Sequence, residues 1–154
     1  MHTMKGSNEM PERCAECGAV LPAGRTCQSI FDECLGLEMA NPAYYGQVHM
    51  LTVACFMIQH GRYSDEARNW IATQIQDHLN GVPVQYIRQR AAGGVKQANR
   101  SWQIMREAGA APQPRVDWSI TMVDIVPSLQ DASLYCNQIE RWARATVDEM
   151  KAIN

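Results

Sequence analysis

No window of about 18 or more apolar residues occurs in this sequence, so no membrane-spanning helix is expected. Nor is there an excess of one charge. Fourteen lysines and arginines face sixteen aspartates and glutamates, a formal net charge of −2, which argues against a wholly basic nucleic-acid binder. Met1–Glu12 is polar and lacks the apolar stretch of a secretory signal, so it reads as a flexible tail. No P-loop, nucleophile elbow or His-Glu-x-x-His is present. No internal repeat occurs, and only one Cys-x-x-Cys. Together these absences point to a cytoplasmic, soluble protein without an obvious catalytic motif. Whether it is an enzyme is left open.

What is there is one domain's worth of chain. Its 154 residues are 46% hydrophobic, near the norm for globular proteins and enough for a packed core. Residues 13–154 are expected to form a single all-α domain of five or six helices, with a zinc knuckle over 13–28. The knuckle carries Gly18, Pro22 and Gly24 among its cysteines and is too short to hold itself by packing. Ser29 and Asp32 suggest a variant capping box opening a first helix that runs to about Met39. Asn41-Pro42 breaks it. A second helix is expected from about Ala43 to His60, apolar nearly all round and therefore buried on several sides. Ser64 caps a third, with Asp65 and Glu66 in its first turn, and Asn80-Gly81 ends it. Pro83 opens a fourth, with apolar positions through Arg106 and an interruption at Gly93-Gly94. Trp118–Ile125 reads as a short helix or an extended piece. Pro127 and Ser128 open a last helix with Tyr135, Ile139, Trp142, Thr146 and Met150 at helical spacing.

The six cysteines stand at 14, 17, 27, 34, 55 and 136. In a reducing compartment they are not expected to pair. Cys55 and Cys136 lie in apolar or helical patterns and read as small buried hydrophobes. Cys14-Ala15-Glu16-Cys17-Gly18 is the strongest local signal. Two thiolates at this spacing bind one metal from a tight turn, and the glycine lets the backbone pass under the sulfurs. A tetrahedral site needs two more ligands, from among Cys27, Cys34, His49, His60 and His78. Helix geometry chooses between them. If the first two helices form a hairpin about Asn41-Pro42, counting outward at about 1.5 Å per residue sets Cys27 level with residue 56 and Cys34 level with His49. His60 lies one turn beyond residue 56, at the end where the knuckle enters. The expected metal set is therefore Cys14, Cys17, Cys27 and His60, with zinc as the ion and His49 as the competitor for the fourth place. On the buried second helix His49 and Thr52 stand among apolar neighbours, and Glu38 can reach His49 across the hairpin. A buried Glu–His hydrogen bond is the simplest reading, ahead of a second metal or an acid–base pair. His78 sits where it would complement a helix C-terminus.

Cys14-x-x-Cys17-Gly18, then Cys27, Glu38, His49-Met50-Leu51-Thr52-Val53 and Gln59-His60 resemble a family of uncharacterised bacterial proteins known only as a domain of unknown function. Its members tend to carry Cys-x-x-Cys-Gly, a lone cysteine, a His-x-Leu-Thr-Val helix and a Gln-His pair. His78-Leu79, Trp118 with Thr121-Met122-Val123-Asp124, and Trp142-Ala143-Arg144-Ala145 are similar too, so the likeness runs from Cys14 to about Ala145. Two positions depart from it: Ala54 stands where an acidic residue is expected, and Gly61 where proline is. A Glu–His–acid cluster would lack its third member here. The resemblance implies no activity.

From His78 to Arg106 there are Arg88, Arg90, Lys96, Arg100 and Arg106 and no acid, a local charge of +5. A solvated helix face is expected rather than a nucleic-acid surface. Trp70, Trp102, Trp118 and Trp142 are spread over separate elements, as core anchors are. The function expected from these features is a zinc-stabilised helical module that binds a protein partner. A small metal-dependent hydrolase or transferase with an open zinc position, or a thiol-based redox or metal sensor, are the alternatives.

Overall fold

The computed structural model describes residues 11–96 and 103–152, with the side chains of 92–96 left out. The expected tail over 1–12 falls almost wholly outside these residues, as do Arg100 and Trp102. Five α-helices are described: α1 Cys27–Ala40, α2 His49–Gln59, α3 Asp65–Leu79, α4 Val84–Lys96 and α5 Ala132–Lys151. Two 3-10 segments, Gly46–Val48 and Met122–Ser128, complete the order. Among the described residues there is no sheet, only isolated bridges at Arg13–Val20 and Tyr63–Met105. The domain is all-α, as expected.

The start of α1 lies earlier than Ser29. Thr26 is the N-cap: its hydroxyl accepts from the Ser29 amide at 3.0 Å, and the Ser29 hydroxyl accepts from the Thr26 amide at 3.0 Å. This is a capping box with serine in the third helical position, and it sets Cys27 at the first. Asn41 ends the helix by turning its amide and its side chain onto the Leu37 carbonyl.

The second helix, expected from Ala43, begins only at His49. Residues 41–48 form a compact turn instead, with the amides of Tyr44, Tyr45 and Gly46 all directed at the Asn41 carbonyl. Gly46 is pressed against α1, where a Cβ would lie 3.0 Å from the Glu38 carbonyl oxygen. This longer turn shifts the hairpin register by one helical turn. Phe31 stacks on Phe56 with centroids 3.9 Å apart, and Glu38 meets His49. By the same offset Cys27 lies level with His60 itself.

Ser64 caps α3 as expected, its hydroxyl accepting from the Ala67 amide. The helical pattern expected through Arg106 is corrected downstream: Gln103–Arg106 is extended and pairs with Arg62–Ser64 through Ser64 N to Ile104 O at 2.9 Å and Arg106 N to Arg62 O at 2.9 Å. Thr121 and Asp124 form a capping box on the 3-10 segment, which takes in Pro127. The last helix therefore starts at Ala132, not Pro127, with the Asp131 carboxylate accepting from the Ser133 and Leu134 amides.

The core sits around α5, whose Tyr135, Ile139 and Trp142 are fully enclosed with Ile30 and Cys34 of α1, Leu51 and Cys55 of α2, Ile75 of α3 and Met122 and Ile125 of the 3-10 segment. Cys136 departs from expectation. It is only part-buried, with its thiol at the Tyr44 carbonyl. Trp142 is a core anchor, whereas Trp70 and Trp118 are part-buried. Among the described residues no helix is long and apolar enough to cross a membrane.

Candidate metal centre

The knuckle is held by three main-chain hydrogen bonds, two of which make up its bridge. Arg13 and Val20 form an antiparallel bridge. Cys14 N donates to Ala19 O at 2.8 Å, Gly18 N to Cys14 O at 2.9 Å, and Leu21 N to Glu12 O at 2.8 Å. Gly18 has φ +79°, a left-handed conformation that glycine adopts without steric cost. The turn carries Cys14 and Cys17 toward the open end of the α1–α2 hairpin. Thr26 delivers Cys27 to the same place, and α2 delivers His60 as its C-cap residue.

The ligand atoms of Cys14, Cys17, Cys27 and His60 all lie within 4.8 Å of one another. These four residues are close enough to hold a metal ion. The Cys17 and Cys27 sulfurs are 3.6 Å apart. That is far beyond a disulfide bond of about 2.05 Å and close to the roughly 3.8 Å that a tetrahedral zinc with Zn–S bonds of about 2.3 Å sets between its sulfurs.

His60 is oriented for ligation. Its Nδ1 lies 2.7 Å from the Phe56 carbonyl oxygen. A carbonyl only accepts, so Nδ1 carries the proton and Nε2 the lone pair. Nε2 is buried with no hydrogen-bond partner among the described residues. A backbone carbonyl on the remote nitrogen is the usual way a metal-binding histidine is fixed. The ring also stacks on Phe56, centroids 4.1 Å apart, extending the Phe31–Phe56 stack.

The thiols share protons unequally. Cys17 is lowered, chiefly by the hydrogen bond from Cys27, against burial and with help from the Ala19 amide. Cys27 is raised by that same bond and by burial. A cation held between the sulfurs would take the place of the proton they share. Arg62 braces the knuckle from outside with a two-pronged contact to Glu16, at 3.1 and 2.9 Å.

His49 stands elsewhere. Its Nδ1 is 2.7 Å from Glu38 Oε1, with the histidine side chain 43% exposed and the glutamate 1%. Thr52 donates to Glu38 Oε2 at 2.6 Å, and the Tyr135 hydroxyl donates to the same oxygen. Glu38 is thus a buried carboxylate satisfied by three donors, the simplest of the readings drawn from its spacing. Tyr135 gives no signal in the sequence that separates it from a core aromatic. Its phenol is raised by burial and by the neighbouring Cys34 and Glu38. Cys34 faces this network, not the metal centre, and burial pushes it up to about 11. His49 and Ala54 line an apolar cavity of about 310 Å³ with Trp70, Ile75 and Ile87. No carboxylate from position 54 enters it. His78 closes the end of α3 on the Val82 carbonyl.

The described residues of the basic segment are differently engaged. Arg90 pairs with Asp77 at 2.7 Å, Arg88 is exposed, and Arg106 turns its Nη2 to the Ala110 carbonyl. The side chains of Lys96 and Arg100 lie outside the described residues.

An all-helical domain with a three-cysteine, one-histidine cluster at the open end of a helix hairpin is the class that this fold and site define. The chain belongs to the family of unknown function DUF5946, which matches residues 12–151. No curated protein and no solved structure matches it significantly.

Proposed function

We propose that Cys14, Cys17, Cys27 and His60 bind one zinc ion whose role is structural, in a helical protein that acts as an interaction or adaptor module. The observation that carries this is His60: a buried Nε2 without a hydrogen-bond partner among the described residues, close to three sulfurs, on a ring held by Phe56. Three sulfurs and one nitrogen suit zinc better than magnesium or calcium, which take oxygen. Four protein ligands leave no position for an activated water, which favours the structural role over a hydrolase or transferase.

The ion would tie residues 13–28 to the end of α2, a segment that otherwise rests on a few turn hydrogen bonds, the exposed Glu16–Arg62 pair and the burial of Cys17, Ala19 and Cys27 against the core. Exposed Met39, Tyr44 and Leu134 lie at the end of α1, in the turn after it and at the start of α5, away from the metal end of the hairpin, and offer a protein partner apolar contact. Six free cysteines fit a reducing, cytoplasmic setting.

The experiment is thermal unfolding with and without a chelator, alongside metal analysis. A structural zinc makes the holoprotein markedly more stable and the loss reversible on adding zinc. A melting curve that ignores chelation of a bound ion would defeat the structural role.

A further inference from the structure

A second cavity, of about 280 Å³, opens beside the metal centre between the end of α2, the start of α3 and the segment 106–118. Its wall holds Arg68, Arg106 and Arg115, with Gln59, His60 and Trp118. Arg68 is the unusual member. It is only 6% exposed, and among the described residues its guanidinium makes no hydrogen bond or ion pair, with Nε buried and unpartnered. Asp65, one turn earlier on α3, accepts instead from Gln113 at 2.9 Å. Arg106 Nε is likewise buried without a partner. The one acid on the wall, Glu16, is already engaged by Arg62.

Asp65 acts on Arg68 only through space, and a buried guanidinium without a hydrogen-bonded counter-charge is unfavourable, so such groups are retained where something else supplies the acceptor. Gln59 adds a complementary requirement. Its Nε2 donates to the Ile120 carbonyl at 2.9 Å, which fixes the amide orientation, and its Oε1 is left buried with no donor. The unpartnered donors of Arg68 and Arg106 thus line one cavity with no acceptor supplied by the described residues.

We infer that this cavity binds a small organic oxyanion, a carboxylate or phosphate head seated on Arg68 and Arg106 with an apolar body against Trp118. Arginine recognises either head through paired N–H donors. Trp118, Ile58 and Val116 supply the apolar wall that a bare inorganic ion would not use. The site adjoins the metal centre, since His60 lies on its wall.

The test is thermal unfolding of the full-length, zinc-loaded protein in chloride, inorganic phosphate or benzoate at matched ionic strength. At tenfold excess over Kd an occupied site raises the melting temperature by about 4 °C. Benzoate stabilising more than phosphate assigns a carboxylate with a flat body, and the reverse assigns a phosphate. Arg68→Met is expected to abolish the shift and, having lost the unpaired charge, to melt no lower than wild type in chloride. Arg115→Ala, at the exposed rim, is expected to keep the fold and weaken binding severalfold, so a poorly folding Arg68 variant does not decide the matter. Equal zinc content across variants separates loss of this site from loss of the metal. No shift with either anion, or shifts unchanged in both variants, would overturn the inference.

Discussion

His60 Nδ1 donates to the carbonyl oxygen of Phe56, one turn earlier on α2, while the two rings stack at 4.1 Å. One contact fixes the tautomer and the other the plane of the ring. What remains free is Nε2, held among three sulfurs on another part of the chain. The hairpin register is what brings it there, because Phe31 under Phe56 sets Cys27 level with His60.

His60→Ala is therefore expected to lower zinc affinity by more than the roughly 10–100-fold that follows loss of an outer partner. Competition with a chromophoric chelator measures it. His49→Ala is expected to leave affinity unchanged, since its ring is committed to Glu38.

Metal removal is expected to act locally first. Residues 13–21 hold few main-chain hydrogen bonds, whereas α5 is buried along one whole face. Hydrogen exchange after chelation should show the amides of Cys14, Gly18 and Leu21 losing protection while those around Ile139 and Trp142 keep theirs. Uniform loss along the chain would mean that the ion holds the whole fold and not the knuckle.

The Glu38 network should be unequal in its parts. Tyr135→Phe removes one donor to a buried carboxylate and is expected to cost about 1.5–3 kcal/mol. Glu38→Ala strands the Thr52 and Tyr135 hydroxyls and opens a cavity, so about 3 kcal/mol or more is expected. His49→Ala should cost less than either, because the histidine is half-exposed and two donors remain. Urea unfolding ranks the three.

Alkali should destabilise the fold from about pH 9 upward. Burial raises Cys55 from 9.0 to about 12, Cys34 from 9.0 to about 11 and Tyr63 from 10.0 to about 12. Above pH 9 the unfolded chain has released protons that the folded one still holds, so unfolding is favoured as pH rises. Stability from these groups is complete below pH 9 and is lost as pH passes toward 12. Denaturation midpoints between pH 7 and 11 check the sign.

Much of this was legible in the sequence where local chemistry decides. Cys-x-x-Cys-Gly marks a knuckle because only a few turns bring two sulfurs together, and Ser64 with two acids marks a helix start. A hairpin closed at Asn41-Pro42 sets Cys27 one turn short of His60, because the turn over 41–48 absorbs residues that read as helix. The entry of the knuckle at that end still points to His60. Tyr135 on Glu38 was not legible, nor was the burial of Arg68. Both depend on elements far apart in the chain, and an arginine on a capped helix reads as a solvated one.

X-ray absorption on the purified holoprotein, with metal analysis, tests the centre most directly. One zinc per chain with three sulfurs at about 2.3 Å and one nitrogen at about 2.0 Å is the expected result. A bound oxygen in place of the nitrogen, or a metal-free protein with Cys17 and Cys27 joined in a disulfide, would contradict it.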